Sequence, residues 1–228
     1  MIAAFLEHTL LKPTCSQSDI EQVTQESIDL KCKGVCVPPY WVKKVKRDIA
    51  SAETLLVTVI GFPFGYQQTD VKAAEARLAL EHGADEVDMV FNLSAWKTGM
   101  SEWAKADVAR LAKICHEQEK MLKVILEIAY LSPDEIVSVC KLCADAGADF
   151  VKTSTGYAPS GATIEAVKLM RKSVPEHVGV KASGGIRDYA FAKALIEAGA
   201  DRIGTSSSIK ICQEIIGGQV EDQGLQAY

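Results

Sequence analysis

Two segments of the chain place a lysine near the end of a short apolar run and follow it with serine and glycine. They are residues 151–156 (Val-Lys-Thr-Ser-Thr-Gly) and 180–185 (Val-Lys-Ala-Ser-Gly-Gly). Lys152 and Lys181 are 29 residues apart, about the length of one strand and one helix. Two buried ammonium groups in one place are costly, but an enzyme that needs one neutral, nucleophilic amine gains from the pair. The spacing therefore indicates amine chemistry on a carbonyl substrate.

The two lysines are expected to enter one cavity from neighbouring strands. Side chains alternate along a strand, so Lys152 shares a face with Ser154, and Lys181 shares the equivalent face with Ser183. Ammonium groups about 5 Å apart repel by roughly 3 kcal/mol at an effective dielectric of about 20, which favours loss of a proton from one of them. The residues alone do not say which lysine is the nucleophile. The alternative is that one or both lysines are structural and are paired with a buried carboxylate.

Three further side chains interrupt or end apolar runs. Asp88 lies in Val-Asp-Met-Val and could move protons beside the amines, or could be their structural counter-ion. Glu127, in Ile-Leu-Glu-Ile, has the same two interpretations, and the structural one is favoured. Cys36 ends another run and could line the cavity, although a packed apolar thiol is the simpler interpretation.

Two glycine- and serine-containing segments suggest a phosphate site. Residues 183–186 (Ser-Gly-Gly-Ile) and 204–207 (Gly-Thr-Ser-Ser) each follow an apolar run. Glycine lets backbone N–H groups approach phosphate oxygens, and barrel enzymes commonly bind phosphate with the loops after strands 7 and 8. Either segment alone is weak evidence, whereas the two together at these strand ends predict a phosphate pocket.

A repeat of apolar run, turn and amphipathic helix organises the whole chain. Each of the junctions at 82–85, 146–149 and 198–201 places a glycine after an alanine-rich helical pattern and before the next apolar run. Several runs are apolar on both faces, which is typical of parallel strands covered by helices. The predicted strands are 8–11, 34–37, 55–61, 86–91, 123–128, 150–154, 178–183 and 202–205. Eight such units favour a (β/α)8 (TIM) barrel, and an open doubly wound sheet is the alternative.

Composition limits the possible partners and location. The 228 residues, with no linker or break in composition, predict one catalytic domain over 1–228 and a mobile polar tail at about 217–228. The net charge of −5 argues against a nucleic-acid or membrane surface. No apolar run reaches the ~20 residues that span a membrane, and the start has no basic segment of a secretory signal. Seven cysteines, an odd number, indicate reduced thiols and a cytoplasmic protein, and the histidines show no metal spacing.

The chain resembles the deoxyribose-phosphate aldolase family over essentially its whole length. The resemblance is carried by residues 6–13 (Leu-Glu-His-Thr-Leu-Leu-Lys-Pro), 34–37, 86–92 (Glu-Val-Asp-Met-Val-Phe-Asn), 151–156, 181–187 (Lys-Ala-Ser-Gly-Gly-Ile-Arg) and 202–206. The two lysine segments are the most specific of these. The resemblance implies a class I aldolase on a (β/α)8 barrel with no metal or other cofactor, and a homodimer is possible.

The resemblance also assigns roles to residues of this chain. It implies that Lys152 forms the Schiff base, that Lys181 is the neighbouring cation that favours neutral Lys152, and that Asp88 takes part in a proton relay with a bound water. The terminal Tyr228 could assist proton transfer, as a terminal tyrosine does in some members. Residues expected to hold the substrate and its phosphate are Thr155, Gly156, Ser183, Gly184, Gly185, Gly204, Ser206 and Ser207.

Two positions depart from the family pattern. Glu7 stands where the family usually has aspartate, and 128–130 (Ile-Ala-Tyr) replace a threonine-containing segment. Neither position is expected to touch the lysines or Asp88, so the departures bear on substrate preference. The implied reaction is reversible cleavage of 2-deoxy-D-ribose 5-phosphate to D-glyceraldehyde 3-phosphate and acetaldehyde. The rival hypotheses are another Schiff-base lyase, a sugar-phosphate isomerase or epimerase, and a non-catalytic phosphosugar-binding protein.

Overall fold

Eight parallel strands form a closed barrel in the computed structural model, which describes residues 2–216. Each strand pairs with its neighbours along the chain, and the first strand also pairs with the last. This closure confirms the (β/α)8 prediction and excludes the open sheet, whose first and last strands would not pair. The strands are β1 (Leu6–Thr9), β2 (Gly34–Val37), β3 (Leu55–Ile60), β4 (Glu86–Val90), β5 (Met121–Ile125), β6 (Phe150–Lys152), β7 (Gly179–Ser183) and β8 (Arg202–Thr205).

Helices connect the strands and cover the outside of the barrel. Within residues 2–216 they are α1 (Gln17–Asp29), α2 (Val42–Ile49), α3 (Thr69–Glu81), α4 (Leu93–Lys97), α5 (Ser101–His116), α6 (Pro133–Asp145), α7 (Ile164–Ser173), α8 (Tyr189–Glu197) and α9 (Ser208–Ile216). Helix α6 begins with a capping box, because the Ser132 hydroxyl accepts from the Glu135 backbone and the Ser132 N–H donates to the Glu135 carboxylate. No helix in this part of the chain is long and apolar enough to cross a bilayer.

The repeated glycine junction ends three of these helices. Gly83, Gly147 and Gly199 follow α3, α6 and α8 and have φ angles of 102°, 93° and 110°. Only glycine adopts such angles without strain, so a connection of four residues takes the chain from each helix into the next strand.

Strands β2 and β8 match the predicted ranges, β3, β4, β6 and β7 differ from them by one or two residues at one end, and β1 and β5 differ at both ends. Strand β1 begins at Leu6 and ends at Thr9, whereas Leu10 and Leu11 are partly exposed residues of the following loop. Hydrophobicity alone did not separate a buried strand residue from an apolar residue that lines a cavity. Strand β5 spans Met121–Ile125 and not 123–128, because Glu127 adopts a left-handed conformation that ends the extended chain. A left-handed glutamate has no signal in the sequence.

The barrel interior is charged, and the apolar core lies mainly between strands and helices. The large hydrophobic cluster joins the outward faces of the strands to the helices. A small separate cluster contains Cys36, Val57 and Val59. Buried ionisable side chains that project from the strands are Glu7, Glu86, Asp88, Lys123, Lys152 and Lys181. The pair Cys140 and Cys143 is buried in α6 and forms no disulfide.

Candidate active site

The two lysines singled out in the sequence lie side by side. Lys152 ends β6 and is the register partner of Lys181 in β7. Both amines donate to the same carboxylate oxygen, Asp88 Oδ2 on β4, at 2.8 Å from Lys152 Nζ and 2.7 Å from Lys181 Nζ. The alternation of side chains along the strands therefore brings both amines and Asp88 to one point inside the barrel.

The surroundings of the two amines differ. Lys152 lines an open cavity and has Asp88 as its ion-pair partner in the described chain. Lys181 is fully buried below the cavity between Asp88 and Glu7. The expectation that Glu7 does not touch the lysines is therefore wrong, because β1 closes the barrel beside β8 and brings Glu7 against Lys181. Burial alone would lower the pKa of Lys181, but the charges of Asp88 and Glu7 outweigh burial and raise it. Lys181 is therefore held as a permanent cation next to the more accessible amine.

A second layer of charges lies beneath Asp88. Lys123 Nζ is 3.0 Å from Asp88 Oδ1 and 2.5 Å from Glu86 Oε2. The Arg202 guanidinium is 3.6 Å from Glu86 and 3.7 Å from Glu7. The pKa of Lys123 is raised, since the carboxylates outweigh the opposite effect of burial. Among the described residues the cluster holds four cations (Lys123, Lys152, Lys181 and Arg202) and three carboxylates (Glu7, Glu86 and Asp88).

Asp88 is kept ionised at the centre of this cluster. Burial would raise its pKa, but the charges of Lys123, Lys152 and Lys181 outweigh burial and hold the pKa well below its usual value. The Asp88 carboxylate thus forms ion pairs with three amines. The prediction that Asp88 is a counter-ion to the lysines and the prediction that it contributes to proton movement are compatible with the same contacts.

The cavity above Lys152 has a volume of about 460 Å³. Most of the predicted binding residues line it: Thr155, Gly156, Ser183, Gly184, Gly185, Gly204 and Ser206. Ser207 does not line it; its N–H instead donates to Thr205 Oγ1 at 2.9 Å. Asp88 and Lys181 form the buried floor beneath Lys152. Gly184 (φ 89°) packs so closely that an added Cβ would lie 3.0 Å from Gly161 Cα, so the loop requires glycine.

Two cations at the cavity wall were missed by the sequence analysis. Lys12, in the loop after β1, and Arg187, directly after Ser-Gly-Gly-Ile, both line the same cavity as Gly184 and Ser206. Both side chains are exposed, so neither stood out as a charge inside an apolar run. The signal that could have identified them is their position: each follows a barrel strand within a few residues, where the carboxyl ends of all eight strands meet.

Glu127 binds the loop that carries Thr155. The Thr155 N–H lies 3.3 and 3.2 Å from the two carboxylate oxygens, and the Thr155 hydroxyl donates to Glu127 Oε2. Burial raises the pKa of Glu127, opposed by these hydrogen bonds. Glu127 makes no ion pair with either lysine, and the charge of Lys152 acts on it only in addition to these hydrogen bonds. The favoured structural interpretation of Glu127 therefore agrees with its contacts, but the group that it holds is Thr155 and not a lysine.

The two remaining candidates have different outcomes. Cys36 is fully buried beside Val57 and Val59 and does not line the cavity, which agrees with the packed-thiol interpretation. Burial raises its pKa to about 11. Tyr228 and the tail at 217–228 lie outside the described residues.

Comparison with known proteins shows which sequences are similar to this chain. The family described as DeoC/LacD family aldolase matches residues 1–214. A deoxyribose-phosphate aldolase from Thermococcus gammatolerans is 49% identical over 214 residues, which cover 93% of this chain and 95% of the relative. A deoxyribose-phosphate aldolase from Brevibacillus brevis is 49% identical over 207 residues, covering 91% of this chain and 93% of the relative.

Solved structures agree with these sequence matches. The aldolase QR15 superposes with a TM-score of 0.90 at 41% identity, covering 96% of this chain and 97% of that one. A deoxyribose phosphate aldolase from Aeropyrum pernix, described as having a unique tetrameric structure, superposes with a TM-score of 0.88 at 32% identity, covering 96% and 92%.

Proposed function

Because the chain belongs to the DeoC/LacD family of aldolases, we propose that it reversibly cleaves 2-deoxy-D-ribose 5-phosphate to D-glyceraldehyde 3-phosphate and acetaldehyde. The proposed nucleophile is Lys152. The observation that carries this assignment is the difference between the lysines: Lys152 lines the cavity, whereas Lys181 is buried between Glu7 and Asp88. Only an amine that reaches the cavity can attack a substrate bound there.

Cleavage begins when neutral Lys152 adds to the C1 aldehyde of the open-chain sugar and the carbinolamine loses water. The resulting protonated imine withdraws electrons from the C2–C3 bond. When the C3 hydroxyl loses its proton, this bond breaks, its electron pair forms the enamine, and C3 leaves as the aldehyde of D-glyceraldehyde 3-phosphate. Protonation of the enamine at C2 and hydrolysis of the imine then release acetaldehyde and restore Lys152.

Lys181 and Asp88 have complementary roles in this proposal. The permanent cation at Lys181 favours the neutral form of Lys152 by repulsion. Asp88 contacts both amines and can pass a proton between Lys152 and a water molecule. Since the pKa of Asp88 is held well below its usual value, the carboxylate does not retain that proton, and it can stabilise the positive charge of the imine.

The phosphate is proposed to lie at the opposite side of the cavity, against Gly184, Gly185 and Ser206. Backbone N–H groups at glycine can approach phosphate oxygens closely, and Lys12 and Arg187 add positive charge there. Gly204, in β8, lines the same cavity, and Ser207 belongs to the loop after β8. In the synthetic direction, a phosphate held on the side of the cavity away from Lys152 would place the aldehyde carbon of the acceptor next to the enamine.

Assembly and location are also proposed. We infer that the protein acts in the cytoplasm, supported by seven unpaired cysteines, six of which are buried. A homodimer is proposed as its assembly, although the Aeropyrum pernix relative is described as a tetramer. Light scattering coupled to size-exclusion chromatography distinguishes the two states.

Trapping the imine tests the proposed nucleophile. The protein is incubated with acetaldehyde at low concentration, reduced with borohydride, and mapped by peptide mass spectrometry. We expect one ethyl group on Lys152, because reduction of its imine forms a stable secondary amine. Lys152→Ala should lose the adduct and the cleavage of 2-deoxyribose 5-phosphate.

The surface variant Lys97→Met is the matched control, because Lys97 is a partly exposed lysine paired with Glu135. It should keep both the adduct and the activity. An adduct on Lys181 would reverse the assignment of the lysines. Absence of any adduct on the folded protein would contradict the aldolase proposal and favour an isomerase or a binding protein.

A further inference from the structure

Glu127 has a backbone conformation that is unusual for its residue type. It lies between β5 and the short turn Ile128–Tyr130, with φ 55° and ψ 65°. In this left-handed region the Cβ of a non-glycine residue crowds its own backbone. Such strained residues cluster at functional sites, where the surrounding structure holds them in place. The contacts of the Glu127 side chain indicate what the strained conformation achieves here.

The Glu127 carboxylate receives two donors from a single residue. Both the backbone N–H and the hydroxyl of Thr155 donate to it, and Glu127 is only 4% exposed. Thr155 itself lines the cavity together with Lys152. Glu127 does not line this cavity, so its influence on a bound substrate passes through Thr155.

The hydrogen-bonding capacity of the Thr155 hydroxyl is almost fully used. A threonine hydroxyl has one proton to donate and two lone pairs. The proton is bound to Glu127, and one lone pair accepts from the Tyr157 N–H at 3.1 Å. What remains for a molecule in the cavity is one lone pair, which can only accept a hydrogen bond.

The rest of the loop is held firmly around Thr155. The Tyr157 hydroxyl donates to the Leu11 carbonyl at 2.8 Å, and its ring packs edge-on against Phe62 with centroids 5.5 Å apart. These contacts join the loop after β6 to the loops after β1 and β3. They hold the backbone of the loop, while the hydrogen bonds of the Thr155 hydroxyl to Glu127 and to the Tyr157 N–H set the direction of its proton.

We infer that Glu127 is a positioning residue that makes Thr155 a hydrogen-bond acceptor and thereby selects acceptor aldehydes with a hydroxyl group next to the carbonyl. This inference rests on the proposed aldolase function. D-Glyceraldehyde 3-phosphate carries such a hydroxyl between its reacting carbon and its phosphate. The selected hydroxyl would donate to the free lone pair of Thr155 between Lys152 and the phosphate loops.

The test compares two acceptors in the synthetic direction with acetaldehyde as the donor. They are D-glyceraldehyde 3-phosphate and 3-oxopropyl phosphate, which has the same chain without the hydroxyl. The measured quantity is the ratio of the two kcat/KM values. One neutral hydrogen bond corresponds to a factor of about 10 in this ratio. We expect Glu127→Met, which has similar length and no oxygen, to lower the ratio about 10-fold.

A conservative variant and a double-mutant cycle separate positioning from a general structural role. Glu127→Gln keeps an oxygen that can accept both Thr155 donors, so its ratio should stay within about 3-fold of the parent. Thr155→Val should lower the ratio as much as Glu127→Met does. The double variant should show no further loss, because both changes remove the same interaction.

The outcomes are distinguishable. A parent-like ratio in Glu127→Met, or additive losses in the double variant, would overturn the inference. If Glu127→Met does not fold, Glu127→Gly decides the question, because glycine accepts the left-handed backbone and also lacks the carboxylate. If the parent enzyme forms no product with either acceptor and no adduct on Lys152, the proposed function itself fails, and this inference fails with it.

Discussion

Residues of the same type have different environments in this barrel, and Lys152 and Lys181 are the clearest case. They are register partners and share Asp88 Oδ2, yet one lines the cavity and the other is buried between two carboxylates. The local sequence around each is nearly identical. What distinguishes them is that Lys152 borders the cavity, whereas Lys181 is buried and contacts a second carboxylate, Glu7 of β1.

Cys36 provides a test at the level of one residue. Burial raises its pKa to about 11, so at pH 8 only about one molecule in a thousand carries the reactive thiolate, compared with about one in four for an ordinary thiol. We expect iodoacetamide at pH 8 to label the partly exposed Cys15 and leave Cys36 of the native protein unmodified, with labelling of Cys36 after unfolding in urea. Peptide mapping measures both sites.

If native Cys36 were labelled as fast as Cys15, the thiol would be accessible from the cavity. The same result would support alkylation of Cys36 by unsaturated aldehydes formed from concentrated acetaldehyde. In that case Cys36→Ala should tolerate concentrated acetaldehyde better than the parent. Equal inactivation of the two proteins would contradict that hypothesis.

Individual helices and strands are joined by a buried ion pair that lies outside the barrel. Lys72 of α3 donates to Asp107 of α5 at 2.6 Å and to the carbonyl of Val90 at 3.0 Å. Val90 ends β4, two residues after Asp88, so the pair ties two helices to the end of the strand that carries the central carboxylate. Burial lowers the pKa of Lys72, opposed by Asp107.

Removing one partner of this pair should be strongly destabilising. We expect Lys72→Met to lower the free energy of unfolding by about 3–5 kcal/mol, because Asp107 is left as an unpaired buried charge. The matched control is Arg110→Ala, which breaks the exposed pair between Arg110 and Asp70 on the same two helices and should cost less than about 1 kcal/mol. Urea unfolding curves measure both, and similar losses in the two variants would contradict the prediction.

The barrel as a whole closes around the buried cluster of cations and carboxylates. Glu7 and Lys181 are 174 positions apart in the chain, and they meet because β1 pairs with β8 next to β7. Among the described residues of this cluster, the cationic side chains outnumber the carboxylates by one. The amine that contacts the fewest carboxylates and borders the cavity is Lys152.

The buried charges of this cluster make the free energy of unfolding depend on pH under acidic conditions. The pKa of Asp88 is held well below its usual value in the folded protein, whereas the unfolded chain takes up this proton near pH 3.9. Below about pH 5 the unfolded state therefore binds more protons, and the free energy of unfolding falls as the pH drops towards the folded pKa. We expect Asp88→Asn to be less stable than the parent at pH 7 and to show a shallower decline between pH 5 and 3. Urea midpoints at each pH measure this, and parallel curves would contradict it.

Much of the fold and of the candidate site could be predicted from local patterns. Apolar runs and glycine junctions recur along the chain and are sufficient to predict eight strand–helix units. Alternation along a strand predicts that Lys152 and Lys181 share an inward face, and glycine with serine after β7 and β8 predicts the cavity wall. These features depend on neighbouring residues, which is why periodicity reveals them.

Tertiary structure decided what depends on distant residues. The sequence could not show that Glu7 pairs with Lys181, that Lys12 and Arg187 border the same cavity, or that Glu127 is held in a left-handed conformation by its contacts with Thr155. The first two facts depend on the closure of β1 against β8, and the third depends on the register of the neighbouring strands β5 and β6. The sequence by itself determined the residues and the faces on which they lie, whereas barrel closure determined their partners, because the electrostatic environment of a buried charge is set by groups that are close in space and far apart in the chain.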